Sequence, residues 1–171
     1  VYDTISNSAV NSLFSTFPGY SPQFTKDNLA ATAYRTKTSD SWNFKYYSYD
    51  ERKRVIKMWN IISGFDTLIT EYKYNSQDQI TIYSHTGPED TKTYRNTYDY
   101  AGRLSKVDYY IGVPDIIEPE YINIAEYSYN ENSQVNSQRF NNNSLENIFT
   151  YNNRNWVTDI RNTDNYFRSE N

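Results

Sequence analysis

The stretch NTYDYAGRLSKVDYY, residues 96–110, reads as a strand, a tight turn and a second strand. Asp99 opens the turn by bonding its own backbone two residues on, and Gly102 supplies a position tolerant of positive φ. Aligned on this turn, the same order of residue types recurs at four other places. Tyr47-Ser-Tyr49-Asp50 leads to Arg54-Val55, Tyr72-Lys-Tyr74-Asn75 to Gln79-Ile80, Tyr127-Ser-Tyr129-Asn130 to Gln134-Val135, and Phe149-Thr-Tyr151-Asn152 to Trp156-Val157. The second tyrosine stands at 49, 74, 98, 129 and 151, in steps of 25, 24, 31 and 22 residues. Periods of about 20 to 50 residues mark stacked supersecondary units. The stretch is one copy of a building unit.

Each copy has the physics of a hairpin. Tyr-x-Tyr is a period-2 strand, because successive side chains alternate between faces. Asp50, Asn75, Asp99, Asn130 and Asn152 open the turns, and the second arms resume at Val55, Ile80, Leu104, Val135 and Val157. Loop-type residues separate the units at Ser63-Gly64, Thr86 to Asp90, Gly112 to Asp115 and Asn141 to Ser144. An insertion near 112–120 accounts for the 31-residue step: Pro114 and Pro119 cannot continue a ladder, so a protruding loop is predicted. Upstream, Leu29 to Thr36 predicts another strand, turned by Thr38-Ser-Asp-Ser41 into Trp42 to Tyr49. Alternation there places Trp42, Phe44 and Tyr46 on one face and Tyr47 and Tyr49 on the other, with both faces covered. Ten strands at about 4.8 Å each would span roughly 50 Å, and right-handed twist predicts strong curvature at that width.

The predicted fold is therefore all-β, a curved antiparallel array of about five to six tyrosine-rich hairpins over residues 29–171. Residues 1–28, with the turn material Phe17 to Pro22, form an irregular segment that is a candidate cap.

Composition agrees. The mean hydropathy of -0.91 and the 37% hydrophobic content are low for 171 residues, but 19 Tyr, 8 Phe and 3 Trp hold much of the apolar area. Such rings bury large surfaces and keep a polar handle. The net charge of -4 is spread along the chain, leaving no electrostatic footprint for nucleic acid. Arg52-Lys53-Arg54 falls in a repeat turn beside Asp50 and Glu51, where a solvated cluster is expected. Cysteine is absent, so disulfides and thiolate metal sites contribute nothing. No stretch approaches the roughly 18 apolar residues of a membrane span, and the first residues lack the pattern of a signal peptide. Beginning at Val1 suggests processing or an excerpt from a longer chain.

Tyr98-Asp99-Tyr100-Ala101-Gly102-Arg103-Leu104, with Val107 further on, resembles the RHS or YD repeat, whose signature is a tyrosine-aspartate pair, a turn glycine, then arginine and an aliphatic residue. Tyr47 to Val55 is similar except for Lys53 at the glycine position. The other copies carry Asp78, Ser133 and Asn155 there, and Gln79, Gln134 and Trp156 for the arginine, which puts in doubt any role that needs the guanidinium. The resemblance covers about residues 42 to 160. It implies a spiral of hairpins that, in long members such as bacterial toxin complexes, polymorphic toxins and teneurins, winds into a hollow shell, and it implies an extracellular or cell-surface location. A chain of this length would form an arc of such a wall. The family's self-cleavage motif is absent, since no Asp-Pro pair occurs and Pro114-Asp115 has the order reversed.

Chemistry is sparse. His85, the sole histidine, precedes Gly87-Pro88 and is predicted to be an exposed loop residue; a zinc site there would need three carboxylates. No serine sits in a Gly-x-Ser-x-Gly elbow, and five scattered glycines make no phosphate cradle. The acids clustered at Asp115, Glu118 and Glu120 are the glycosidase candidates outside the repeat turns, in a loop ill-suited to the rigid placement of such a pair. No enzyme activity, cofactor or metal is expected.

The tyrosines have two readings, a cross-strand packing ladder or a platform on which sugar rings stack. Scaffolding is favoured because the same rings recur in every unit. The expectation is a structural protein that associates with itself or with neighbouring repeats through sheet edges, the Tyr151 to Ile160 hairpin being at or near the contact. An extracellular carbohydrate-binding or adhesive module is the alternative.

Overall fold

The computed structural model describes residues 22–37, 40–115, 119–142 and 144–164. The cap expected over 1–28 therefore lies mostly outside the described residues, as do Thr38, Ser39 and Glu118. Among the described residues there are eleven strands and no helix. They are β1 Ala31–Tyr34, β2 Asn43–Tyr49, β3 Val55–Ile61, β4 Leu68–Tyr74, β5 Ile80–Thr86, β6 Thr91–Tyr98, β7 Leu104–Ile111, β8 Ile122–Tyr129, β9 Val135–Phe140, β10 Leu145–Tyr151 and β11 Val157–Asp164. Sheet order follows chain order throughout. Five first arms end on the five second tyrosines, and five second arms begin on the five aliphatic residues the sequence singles out.

These strands fall into two compact units. One runs to Asp78 and takes in Tyr83–Thr91; the other comprises Gln79–Ile82 and the chain from Lys92 onward. In the first, Ala31 faces Tyr46, Tyr46 faces Trp59 and Trp59 faces Ile69 across β1 to β4. Ala31, Tyr46 and Trp59 are buried, with Phe44 stacked on Tyr46 at 6.0 Å between ring centroids. Each such cross-strand pair contributes about 0.2–1 kcal/mol. Trp42 departs from expectation: it is 46% exposed, with the Arg35 guanidinium 4.6 Å from its ring centroid. It lies just outside β2, where alternation no longer directs it to the covered face.

Chain before β1 also packs. The Tyr49 N–H donates to the Gln23 carbonyl, and the Gln23 N–H donates to Ser48 Oγ. Residue 23 thereby closes the end of β2.

In the second unit the buried residues are Thr93, Asp108, Tyr110, Ala125 and Ser137. Small side chains dominate the buried set because a sheet with large rings on its surface shields the short residues between them first.

His85 corrects the sequence expectation. It belongs to β5 and is half-buried, its Nδ1 3.0 Å from Oγ1 of the buried Thr70 and its ring edge-on to Tyr83 at 5.7 Å. The strand continues one residue beyond the histidine, to Thr86, so the reversal signalled by Gly87-Pro88 starts two residues after it.

Candidate functional site

The five turns share one geometry. In each, the opening Asp or Asn accepts the N–H three residues on, with N···O distances of 2.9 to 3.2 Å. Its Oδ1 also accepts the N–H two residues on at 2.9 to 3.0 Å. At Asp50, Asp99, Asn130 and Asn152 the same oxygen takes the N–H four residues on as well. The residue at the fourth turn position is left-handed in every copy: Lys53 at φ 62°, Asp78 at 64°, Gly102 at 77°, Ser133 at 61° and Asn155 at 63°. This is a three-residue hairpin loop, a type I turn closed by a left-handed residue. The side-chain oxygen satisfies N–H groups that the reversal leaves without ladder partners. Just beyond, Tyr49 faces Val55 while Ser48 faces Lys57, and the same one-residue shift recurs at Tyr98, Tyr129 and Tyr151. A repeated bulge therefore sits at Ile56, Ser105, Asn136 and Thr158.

The second tyrosine of every unit ties that unit to the one before. Tyr49 Oη donates to the Leu29 carbonyl, Tyr74 to Val55, Tyr98 to Ile80, Tyr129 to Leu104 and Tyr151 to Val135, all at 2.7 to 2.8 Å. Each acceptor from Tyr74 onward is the first residue of the preceding second arm. Leu29 fills that place for Tyr49, so the segment leading into β1 acts as a second arm too. Burial raises the Tyr74 and Tyr129 hydroxyls above their usual value.

The residue after the turn reaches the other way. Arg54 bonds its own Asp50 at 2.6 Å through Nε and extends Nη1 to Asp78 Oδ1 at 2.6 Å. Its guanidinium lies 4.5 Å from the Tyr74 ring centroid. Arg52 adds a second contact to Asp78 at 2.9 Å, so the basic cluster of this turn is an inter-hairpin ion network rather than merely solvated. Arg103 repeats the arrangement with Asp99 and with Ser133 Oγ at 3.0 Å, 4.5 Å from the Tyr129 ring. The doubt attached to the glutamine copies resolves: Gln79 Nε2 donates to the Gly102 carbonyl at 2.6 Å and Gln134 Nε2 to the Asn155 carbonyl at 3.3 Å. An uncharged amide performs the same reach.

Burial pushes the Asp50 carboxyl up, but the Arg54 N–H and guanidinium and the Arg52 N–H outweigh it and hold the group below the usual range. The Arg103 N–H, aided by its guanidinium, does the same for Asp99.

One place breaks the pattern. Asp108, 1% exposed, accepts from Arg95 at 2.7 Å, lies 3.1 Å from Lys106 Nζ and accepts from Asn123 at 3.3 Å. Arg95 sits 3.5 Å from the centroid of Tyr121, whose ring is edge-on to Tyr110. Tyr110 Oη donates to the Val113 carbonyl, fastening the insertion to the sheet. Burial raises the Asp108 carboxyl, but the Arg95, Lys106 and Asn123 contacts carry it below its usual value. Arg95 and Asp108 are direct partners across β6 and β7, and a bulge brings in Asn123, since Val107 faces Ala125 but Asp108 faces Asn123, leaving Ile124 as the extra residue. Both oxygens of the Asp108 carboxylate are paired, whereas Arg95 Nε and Asn123 Oδ1 are buried without a hydrogen-bond partner. No sequence signal announced the Asn123 contact, because it depends on that register shift.

Asp115 and Glu120 are exposed, and no group of three or more His, Cys, Asp or Glu among the described residues is placed to hold a metal. No helix among them is long and apolar enough to cross a membrane. At the last turn, Asn152, Asn153, Arg154 and Trp156 line an open depression of about 350 Å³. Comparison with protein-family models and with curated proteins returns no match.

Proposed function

We propose that this chain is a non-enzymatic scaffold, an arc of a hairpin-repeat wall of the RHS or YD type, that associates with like repeats through its sheet edges. The observation that carries the proposal is the use of the second tyrosine: all five hydroxyls are committed to carbonyls of the preceding segment. A ring whose polar end locks one hairpin to the next contributes to the wall, and it has no donor left for a ligand. The reach of Arg54, Gln79, Arg103 and Gln134 toward the following turn supports the same reading from the opposite direction. An extracellular or surface location belongs to this proposal by resemblance alone.

A carbohydrate-binding or adhesive module is the second reading, and one observation favours it. Trp156 is 63% exposed beside Asn152 and Asn153, with the Arg154 guanidinium over its ring at 5.7 Å from the centroid, which places an aromatic ring, amides and a cation together. Glycan-array screening followed by titration calorimetry separates the two. A scaffold shows no saturable binding, whereas saturable affinity that disappears in Trp156→Ala would replace it with the module.

A further inference from the structure

Among the described residues β11 is the last strand in sheet order, and its pairing with β10 occupies one of its two edges. Val55, Ile80, Leu104 and Val135 begin their second arms half-buried, but Val157 is 49% and Ile160 58% exposed. An open strand edge with apolar side chains is a template for another strand. This edge also carries a specific charge order. Asp159 and Arg161, two residues apart and therefore on one face, bond each other at 2.9 Å while remaining 48% and 76% exposed.

Consider two copies of β11 running antiparallel about a twofold axis. With Ile160 on the axis, Asp159 of each copy stands directly opposite Arg161 of the other, giving two attractive pairs on one face. On the other face Ile160 meets its own counterpart. Moving the axis to Asp159 or to Arg161 sets like charges directly opposite, which is destabilising. We propose that two copies of this chain join through β11 in this one register, antiparallel and twofold symmetric. The occupant is a second copy because the charge order is complementary to itself. A twofold contact of this kind closes on itself, whereas a head-to-tail contact propagates. The proposal rests on the self-association named above and gives it a place and a register.

The test uses the whole chain. Because the sequence contains no cysteine, Ile160→Cys introduces a sole thiol. Directly opposed Cα atoms in an antiparallel pair are about 4.5–5.5 Å apart, inside the disulfide range of about 4.4–6.8 Å. Mild oxidation is expected to give a covalent dimer of Ile160→Cys, and none of Tyr100→Cys, at a fully exposed turn tip. In sedimentation, Asp159→Arg and Arg161→Asp are each expected to weaken the dimer about tenfold, and the double swap to restore it, since exchanged charges remain opposite. Association that neither the cysteine nor the swap reports overturns the β11 dimer while leaving association through another edge in place. A folded monomer at every concentration overturns both, and leaves the hairpin array itself untouched.

Discussion

At the fourth position of each turn a single backbone angle decides which residues are comfortable. An L-residue in the left-handed region costs about 1–2 kcal/mol, less for Asn or Asp, whose short polar side chains bond locally, and nothing for Gly. Lys53 and Ser133 are the strained copies, at φ 62° and 61°. Lys53→Gly is therefore expected to raise stability by about 0.5–1 kcal/mol, and Asn155→Gly to be close to neutral. Gly102→Val should cost about 2 kcal/mol or more, because a branched side chain is poorly accommodated at φ +77°. Its Cβ would also lie 3.4 Å from Gln79 Nε2, whose bond to the Gly102 carbonyl it would disturb. Gly112 also has positive φ, at 148°, so a side chain there is disfavoured as well. Urea midpoints at unchanged slope check the ranking, with Lys53→Gly and Gly102→Val shifting in opposite directions.

Among the elements, the hairpins were legible because one Asp or Asn, one left-handed position and one tyrosine carry all the information locally, within a few residues of chain. The Asp108 cluster was not legible as a whole: Arg95 faces Asp108 in the plain hairpin register, but Asn123 joins only through the Ile124 bulge and Tyr121 through the return of the insertion. His85 was misplaced for a related reason: a turn signal two residues on says little about where a strand stops. Replacing Asp108 by Asn leaves two cations facing an uncharged amide. The expected cost is about 2 kcal/mol, below the 3–5 kcal/mol of a fully buried pair, because Arg95 and Lys106 are each more than a third exposed and water screens them. Acid titration provides the companion measurement. Asp50, Asp99 and Asp108 are all depressed in the folded state. Their stabilisation is complete above the unfolded value of about 3.9 and is lost as pH falls through the lower folded values. Stability should hold from neutrality to about pH 5 and fall below about pH 4, and Asp108→Asn should flatten that fall.

For the molecule as a whole, energetics reduce to hairpins and the bonds between neighbours, the form expected of a repeat array. Side-chain packing within a hairpin sets its own stability, while the tyrosine hydroxyls set how strongly each hairpin adheres to the last. Replacing one of these tyrosines by phenylalanine keeps the ring and deletes the bond, at an expected cost of about 0.5–1.5 kcal/mol. A sugar platform makes a different demand, since stacking needs the ring face and tolerates loss of the hydroxyl from the fold. The most direct measurement is therefore the matched series Tyr49→Phe, Tyr74→Phe, Tyr98→Phe, Tyr129→Phe and Tyr151→Phe, unfolded in urea under one set of conditions. If the tyrosines are the joints of the array, all five variants lose stability by similar amounts, about 1 kcal/mol each. Five variants as stable as the parent chain, or a loss confined to one of them, would contradict it.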